Sequence, residues 1–316
     1  MSVVTENFDA KFHRVPFRAF TMEGMEDHRV PFRAFTMEGM EDIPRVHGRY
    51  LNVIPTNNEV EMDVLHSGLG AVPKVNGDLL KTPLSSFETS DPVAYRQEHY
   101  RQQYVYTYDA ARKDKTGTVT GVVRSMGEAA AYTMETVAAD IFNLNTTTTG
   151  GVDNTTLANA SHSLLDGTTY SNIAVAGGPN FATLQTIYNY FRKGIKNDNG
   201  RIVPVEIEYL EVAPELVPAW RQLLGSNTQI GQDNPNVINP YGSMLTPDRV
   251  QENVYLTNSF DTHVVGRGHH LNMFVFEEPR TRTWNEDDPE AIHHWIGMQF
   301  VTGWTDARRY LFVPGS

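Results

Sequence analysis

Histidines and carboxylates are the residues of this chain best suited to chemistry. Adjacent pairs stand at His269-His270 and His293-His294, Asp261 lies two positions before His263, and Glu286, Asp287 and Asp288 form an acidic cluster after Trp284. Imidazole beside carboxylate can act as general base or metal ligand, so the enzyme such a set would make is a metal-dependent hydrolase using His293, His294 and Asp287. The spacing argues against it. Neighbouring residues of a strand point to opposite faces, so neither histidine pair can close on one ion within a regular strand. The acidic cluster could hold calcium or magnesium through oxygen ligands, but an acidic turn before Pro289 reads first as a solvated charge run. There is no GxSxG elbow, HExxH pair or GxxxxGK[ST] loop, and the glycines at Gly150, Gly177 and Gly178 lack a phosphate-binding fingerprint. The sequence points to no enzyme, no cofactor and no metal. Sequons at Asn145, Asn154 and Asn159 follow from an Asn/Thr-rich loop.

Aromatic residues are the other candidates. Tyr100, Tyr104, Tyr106 and Tyr108 share one face of an extended strand, and only Arg96, Arg101 and Arg112 accompany them. Stacking on single-stranded nucleic acid needs a basic groove beside the rings. Tyr and Arg anchor protein interfaces, so the stripe favours assembly.

The elements that must position these residues follow from periodicity. Between Thr116 and Leu144, apolar or small residues recur at helical spacing from Val119 through Val123, Met126, Ala130 and Ala138 to Phe142, which predicts one long helix. A second helix is expected over Asn180–Lys196 and a short one over Glu215–Leu224, with strands at about Ala94–Asp109, Val203–Tyr209, Val254–Val265, Leu271–Phe276, His294–Gly303 and Arg309–Val313. Leu271–Phe276 and His294–Gly303 form a candidate hairpin around a polar tip, Glu277–Ala291. Asn57–Pro92 reads as loop or weak hairpin. The segment HRVPFRAFTMEGMED occurs twice without change, at His13–Asp27 and His28–Asp42, and Pro16 and Pro31 interrupt would-be helices, so residues 1–55 read as an extended arm. Two perfect copies do not make a solenoid, and one copy is expected to be dispensable.

Composition bounds the rest. The 316 residues include no cysteine, which removes disulfides and thiolate chemistry, and 26 Lys+Arg against 38 Asp+Glu leave a net charge of −12. That balance excludes a dedicated nucleic-acid binder. No apolar run reaches the ~20 residues of a membrane span, and the first residues lack a secretory pattern, so a soluble protein made in the cytoplasm is expected.

The order of these parts resembles the major capsid protein of tailed bacteriophages, the Hong Kong 97-type α+β fold. YRQEHYRQQYVYTYDAARKD, Tyr95–Asp114, looks like the strand leaving that family's extended loop; SMGEAAAYTMETVAADIFN, Ser125–Asn143, looks like its spine helix. HSLLDGTTYSN, His162–Asn172, and the closing YLFVPGS are similar to head subunits of Mu-like phages. The resemblance runs from about Ser67 to Ser316, and the N-terminal duplication departs from it.

The resemblance implies an N-terminal arm (1–55), an extended loop (56–108), a peripheral domain with the spine helix (109–150 and 271–304) and an axial domain (151–270 and 305–316). It implies a subunit that assembles with itself into hexamers and pentamers of an icosahedral virion head. The head encloses double-stranded DNA without specific binding, works with portal, scaffold and decoration proteins, and makes no membrane contact. Intersubunit contacts are expected at Phe17, Phe32, Tyr100, Tyr104, Tyr106, Tyr108, Arg280, Arg282, Trp284, Glu286 and Asp287. Some members form Lys-Asn cross-links, for which Lys74 and Lys81 stand in the extended loop. An encapsulin-like cargo shell is the alternative within the same fold.

Overall fold

The computed structural model describes residues 29–67, 89–226, 239–241, 245–287 and 290–315. These fall into two compact units. Phe17, Lys74, Lys81, Asp288 and the first copy of the repeat lie outside the described residues, and no described helix is long and apolar enough to cross a membrane.

Of the described residues, the first unit comprises 29–45, 98–134 and 277–299. Its opening element is a helix, α1 (Arg29–Asp42), formed by the second repeat copy. An extended arm was expected here because of Pro31. The proline stands in the first turn, where backbone N–H groups have no intrahelical acceptor, so its missing donor costs the helix nothing. Phe32, Thr36 and Met40, four residues apart, form its buried face. A four-residue helix, α2 (His47–Tyr50), follows in the other unit.

The expected long strand at 94–109 is divided into β3 (Val93–Arg96) and β4 (Glu98–Thr107). Tyr100, Tyr104 and Tyr106 do share the inner face of β4, whereas Tyr108 opens a short helix, α3 (Tyr108–Lys113), capped by the Thr107 hydroxyl accepting from the Ala110 N–H at 3.2 Å. The long helix is α4 (Thr118–Asn143), close to its predicted bounds. Its start is fixed by Asp114, whose carboxylate accepts from the Thr118 and Val119 N–H groups at 3.1 and 2.8 Å. Residues 118–134 pack in the first unit and 135–143 in the second.

The largest departure is the hairpin. Its strands, β12 (Leu271–Asp287) and β13 (Glu290–Trp304), run through the segment expected as a polar tip. They are the middle strands of a four-stranded sheet in the order β1-β12-β13-β4, where β1 (Asn52–Pro55) lies parallel to β12. Over 277–287 the polar segment is therefore paired strand, with Arg280, Arg282 and Glu286 on its solvated face and Thr283 on the other.

The second unit has two short antiparallel pairs, β5 (Thr149–Gly150) with β6 (Thr155–Thr156) and β7 (His162–Ser163) with β8 (Thr169–Tyr170), and its own sheet, ordered β10-β9-β11-β14: β10 (Val250–Glu252), β9 (Ile207–Val212), β11 (Thr262–Gly266) and β14 (Tyr310–Val313). The helix expected at 180–196 divides into α5 (Phe181–Asn189) and a wider turn, Tyr190–Gly194; α6 (Val217–Gly225) matches the short predicted helix. Leu184, Ile187, Phe191, Leu210, Trp220, Val264 and Leu311 form one buried core with this sheet. Strands predicted at 203–209 and 254–265 are displaced to 207–212 and 262–266. Val203 and Val205 still pack on the core, but outside the ladder. Within the segment 57–92, read as loop or weak hairpin, β2 (Val60–Asp63) is formed, and it pairs antiparallel with β3, which lies beyond that segment.

Candidate assembly surface

The hairpin part of the first unit has two different faces. On its inner face, Ile292 of β13 packs with Phe32 of α1, Tyr106 of β4 and Val119 and Val123 of α4. The Phe32 and Tyr106 rings meet edge to face at 5.7 Å, and Tyr104 stacks beside Tyr106 at 5.6 Å. Phe32 and Tyr106, at 8% and 5% exposure, are thus buried inside their own chain. Tyr104 and Tyr108 are half-buried against the same cluster; Tyr100 is half-buried and donates its hydroxyl to Glu98.

His294 is fully buried on this inner face. The Thr36 hydroxyl donates to the Phe32 carbonyl at 2.8 Å, so at 2.9 Å from His294 Nε2 it must accept, which places the ring proton on Nε2. His294 Nδ1 then accepts from the Thr283 hydroxyl at 2.8 Å. Burial pulls the imidazole down to about 4, so it is neutral at pH 7.

The outer face is a ladder of cations and aromatic rings. Arg280 lies over Trp295 at 5.6 Å and Arg282 over Trp284 at 5.7 Å, while Trp284 stacks flat on His293 at 5.0 Å. Gln103 donates to His293 Nδ1 at 2.6 Å, and His293 Nε2–H donates to Glu286 at 2.7 Å. Arg280 also meets Glu277 at 2.6 Å. Gly297 makes room for the first rung, since a Cβ there would stand 2.2 Å from the Trp295 ring. The side chains of Arg280 and Glu286 remain 63% and 50% exposed. The structure thus gathers Arg280, Arg282, Trp284 and Glu286 on one ordered surface of the kind that anchors interfaces; Asp287 closes β12.

The His293-His294 pair does separate as strand geometry requires, with His293 in the outer ladder and His294 in the inner core, whereas His269-His270 precedes β12 and lies outside any strand. The set needed by the hydrolase reading is therefore split between two faces. Among the described residues no three His, Asp or Glu side chains converge on a metal position. In the second unit, His263 is buried against Phe142, Tyr310 and Phe312 and bonds the Tyr310 hydroxyl at 2.8 Å. Burial depresses His263 to about 3; burial, then the charges of His270 and Arg309, depress His269 to about 4. Both are neutral packing groups.

Sequence reasoning missed Glu135. This residue of α4 is 1% exposed and accepts from the Val46 N–H at 3.1 Å, the His47 N–H at 3.0 Å and His47 Nδ1 at 2.7 Å, fixing the start of α2. An acid on the buried stripe one position after Met134 was the available signal.

Solved structures share this arrangement. The asymmetric unit of the bacteriophage PhiM1 mature capsid superposes with a TM-score of 0.58 at 10% identity, covering 87% of this chain and 88% of that one. Microbacterium phage Oxtober96 gives 0.56 at 9% identity over 87% and 93%, and the virus-like particle from Pyrococcus furiosus 0.51 at 6% over 89% and 97%. The fold is the α+β, Hong Kong 97-type fold of capsid proteins. A family profile described as "Phage capsid protein" matches residues 90–311, well over half the sequence. The chain belongs to that family and is a structural capsid protein, not an enzyme. No curated protein matches its sequence.

Proposed function

We propose that this chain is the repeating subunit of an icosahedral phage head, assembling into hexamers and pentamers around packaged double-stranded DNA. One observation carries the assembly reading beyond family membership. Val53, Ile54, Val60, Met62 and Val64 stay 38–64% exposed although β1 and β2, which carry most of them, are formed and paired. Apolar side chains concentrated on one such segment need a partner to cover them, and a neighbouring subunit supplies it. The division into arm (1–55), extended loop (56–108), peripheral domain (109–150, 271–304) and axial domain (151–270, 305–316) gives that segment its role at the base of the extended loop.

The outer ladder of Arg280, Arg282, Trp284 and Glu286, with Asp287 at its end, is the second contact surface, joined by Tyr100 and the exposed edges of Tyr104 and Tyr108. Phe17, and Lys74 and Lys81 as cross-link donors, complete the set. Portal, scaffold and decoration proteins are the further partners, and the location is the virion capsid. The charge of −12 suits the task, since an inner wall that gripped phosphate would oppose packaging and ejection.

Likeness to a virus-like particle favours a second reading, an encapsulin-like shell around protein cargo. Nuclease-protected DNA in particles from the native host, with portal and tail attached, supports the phage head; DNA-free shells around an enzyme support the cargo shell. Met62→Asp, on the exposed segment, is expected to block assembly while the unassembled chain keeps its fold by circular dichroism. Normal shells from that variant would remove the segment from the contact set.

A further inference from the structure

The helix α1 is seated by residues that all recur fifteen positions earlier. Its backbone touches that of α4: a Cβ on Gly39 would stand 2.1 Å from the Arg124 carbonyl oxygen, and one on Gly127 would stand 2.0 Å from the Thr36 carbonyl oxygen. Around this crossing, Phe32 packs on Tyr106, Thr36 meets His294 at 2.9 Å, and Arg124 bonds Glu38 at 3.1 Å and Asp42 at 2.7 Å. Their counterparts in the first copy are Phe17, Thr21, Glu23, Gly24 and Asp27, identical in type and spacing.

We propose that this groove on α4 and β13 is a two-register site, for which His13–Asp27 is a second ligand that exchanges with His28–Asp42 in the same chain. Contact strength depends on the residues that make the contact, and these are the same. Only the tether differs. With the second copy docked, Ile43–Val46 link it to α2; with the first docked, residues 28–46 do. Closure probability falls with about the three-halves power of loop length, so lengthening the link from four to nineteen residues disfavours the first copy roughly tenfold. A defect confined to one copy therefore shifts occupancy without emptying the groove. The two registers also differ by fifteen residues in how far the chain before the docked helix can reach. That difference would serve a shell whose identical subunits occupy unlike positions; this use rests on the capsid reading, whereas the exchange does not.

The absence of native cysteine makes the test direct. Arg124 and Asp42 are 41% and 42% exposed, so Arg124→Cys paired with Asp42→Cys reports the second copy, and Arg124→Cys paired with Asp27→Cys reports the first. A short bis-maleimide is applied to the full unassembled chain and the linked peptides are counted by mass spectrometry. The 42–124 link should dominate, with 27–124 at roughly a tenth of its yield. Adding Gly39→Leu, which blocks the second copy, should make 27–124 the main link; Gly24→Leu should abolish only that link. Thermal unfolding gives an independent readout: Gly39→Leu alone should melt near the parent chain and Gly24→Leu with Gly39→Leu well below it. Absence of the 27–124 link in the Gly39→Leu chain, its formation only between two chains, or equal melting losses for single and double variants would overturn the exchange.

Discussion

Acid should loosen the first unit through one imidazole. His294 is fully buried between Thr36 and Thr283, and burial holds its pKa near 4 against the ordinary 6.5. A base whose folded pKa is depressed leaves the unfolded chain holding more protons across that window. Its stabilising contribution is complete above pH 6.5 and is lost as pH falls towards 4. With those two values, the loss between pH 7 and pH 5 is about 2 kcal/mol. The measurement is urea unfolding of the unassembled chain at both pH values, repeated with His294→Gln. Glutamine keeps a donor and an acceptor but does not titrate, so the difference between the two pH dependences isolates this ring from His263 and His269. The parent chain should lose about 2 kcal/mol more than His294→Gln on going to pH 5. Equal losses would refute the claim that His294 is buried neutral.

Four further substitutions test burial, charge and surface roles. Tyr106→Ala should cost the unassembled chain about 3 kcal/mol in urea unfolding, as for other large-to-small core changes, because Tyr106 is enclosed with Phe32 and Ile292; Arg280→Ala should leave that value within about 0.5 kcal/mol and reduce particle yield. Arg308→Leu strands the buried carboxylates of Asp198 and Asp306, at 3.1 and 2.8 Å from the guanidinium, and should destabilise the second unit by about 3–5 kcal/mol in the same assay. Glu211 carries the opposite pH signature. Burial first of all raises its carboxyl to about 8, and its Oε2 has no hydrogen-bond partner among the described residues. Since the folded state holds the extra proton, its cost grows as pH rises from 4.5 to about 8, so Glu211→Gln should stabilise the chain more at pH 8 than at pH 5, by about 3 kcal/mol.

The long helix α4 was readable because its apolar residues recur every three or four positions, and tertiary packing uses that same stripe. The tyrosine stripe was readable as a face, since alternation survives in β4, but not as an address: whether Phe32 and Tyr106 meet their own chain or a neighbour depends on where α1 docks. That docking was hidden by Pro31, a breaker in a helix interior and harmless in a first turn. The seating glycines Gly39 and Gly127 signal nothing alone; their meaning comes from the opposite backbone. In the hairpin, grouping Glu277–Ala291 by polarity concealed a two-residue period, with Arg280, Arg282, Trp284 and Glu286 on one face and Thr283 reaching inward to His294. The His293-His294 pair needed only strand geometry, and it separates accordingly.

Shell assembly is tested most directly by electron microscopy of the particles formed when the chain is produced in its native host. Closed icosahedral shells with this chain in hexameric and pentameric positions are expected, the exposed segment at 53–64 and the Arg280–Trp295 ladder lying against neighbouring subunits. Shells built without this chain, while it remains a monomer in the same preparation, would contradict its role as the shell subunit.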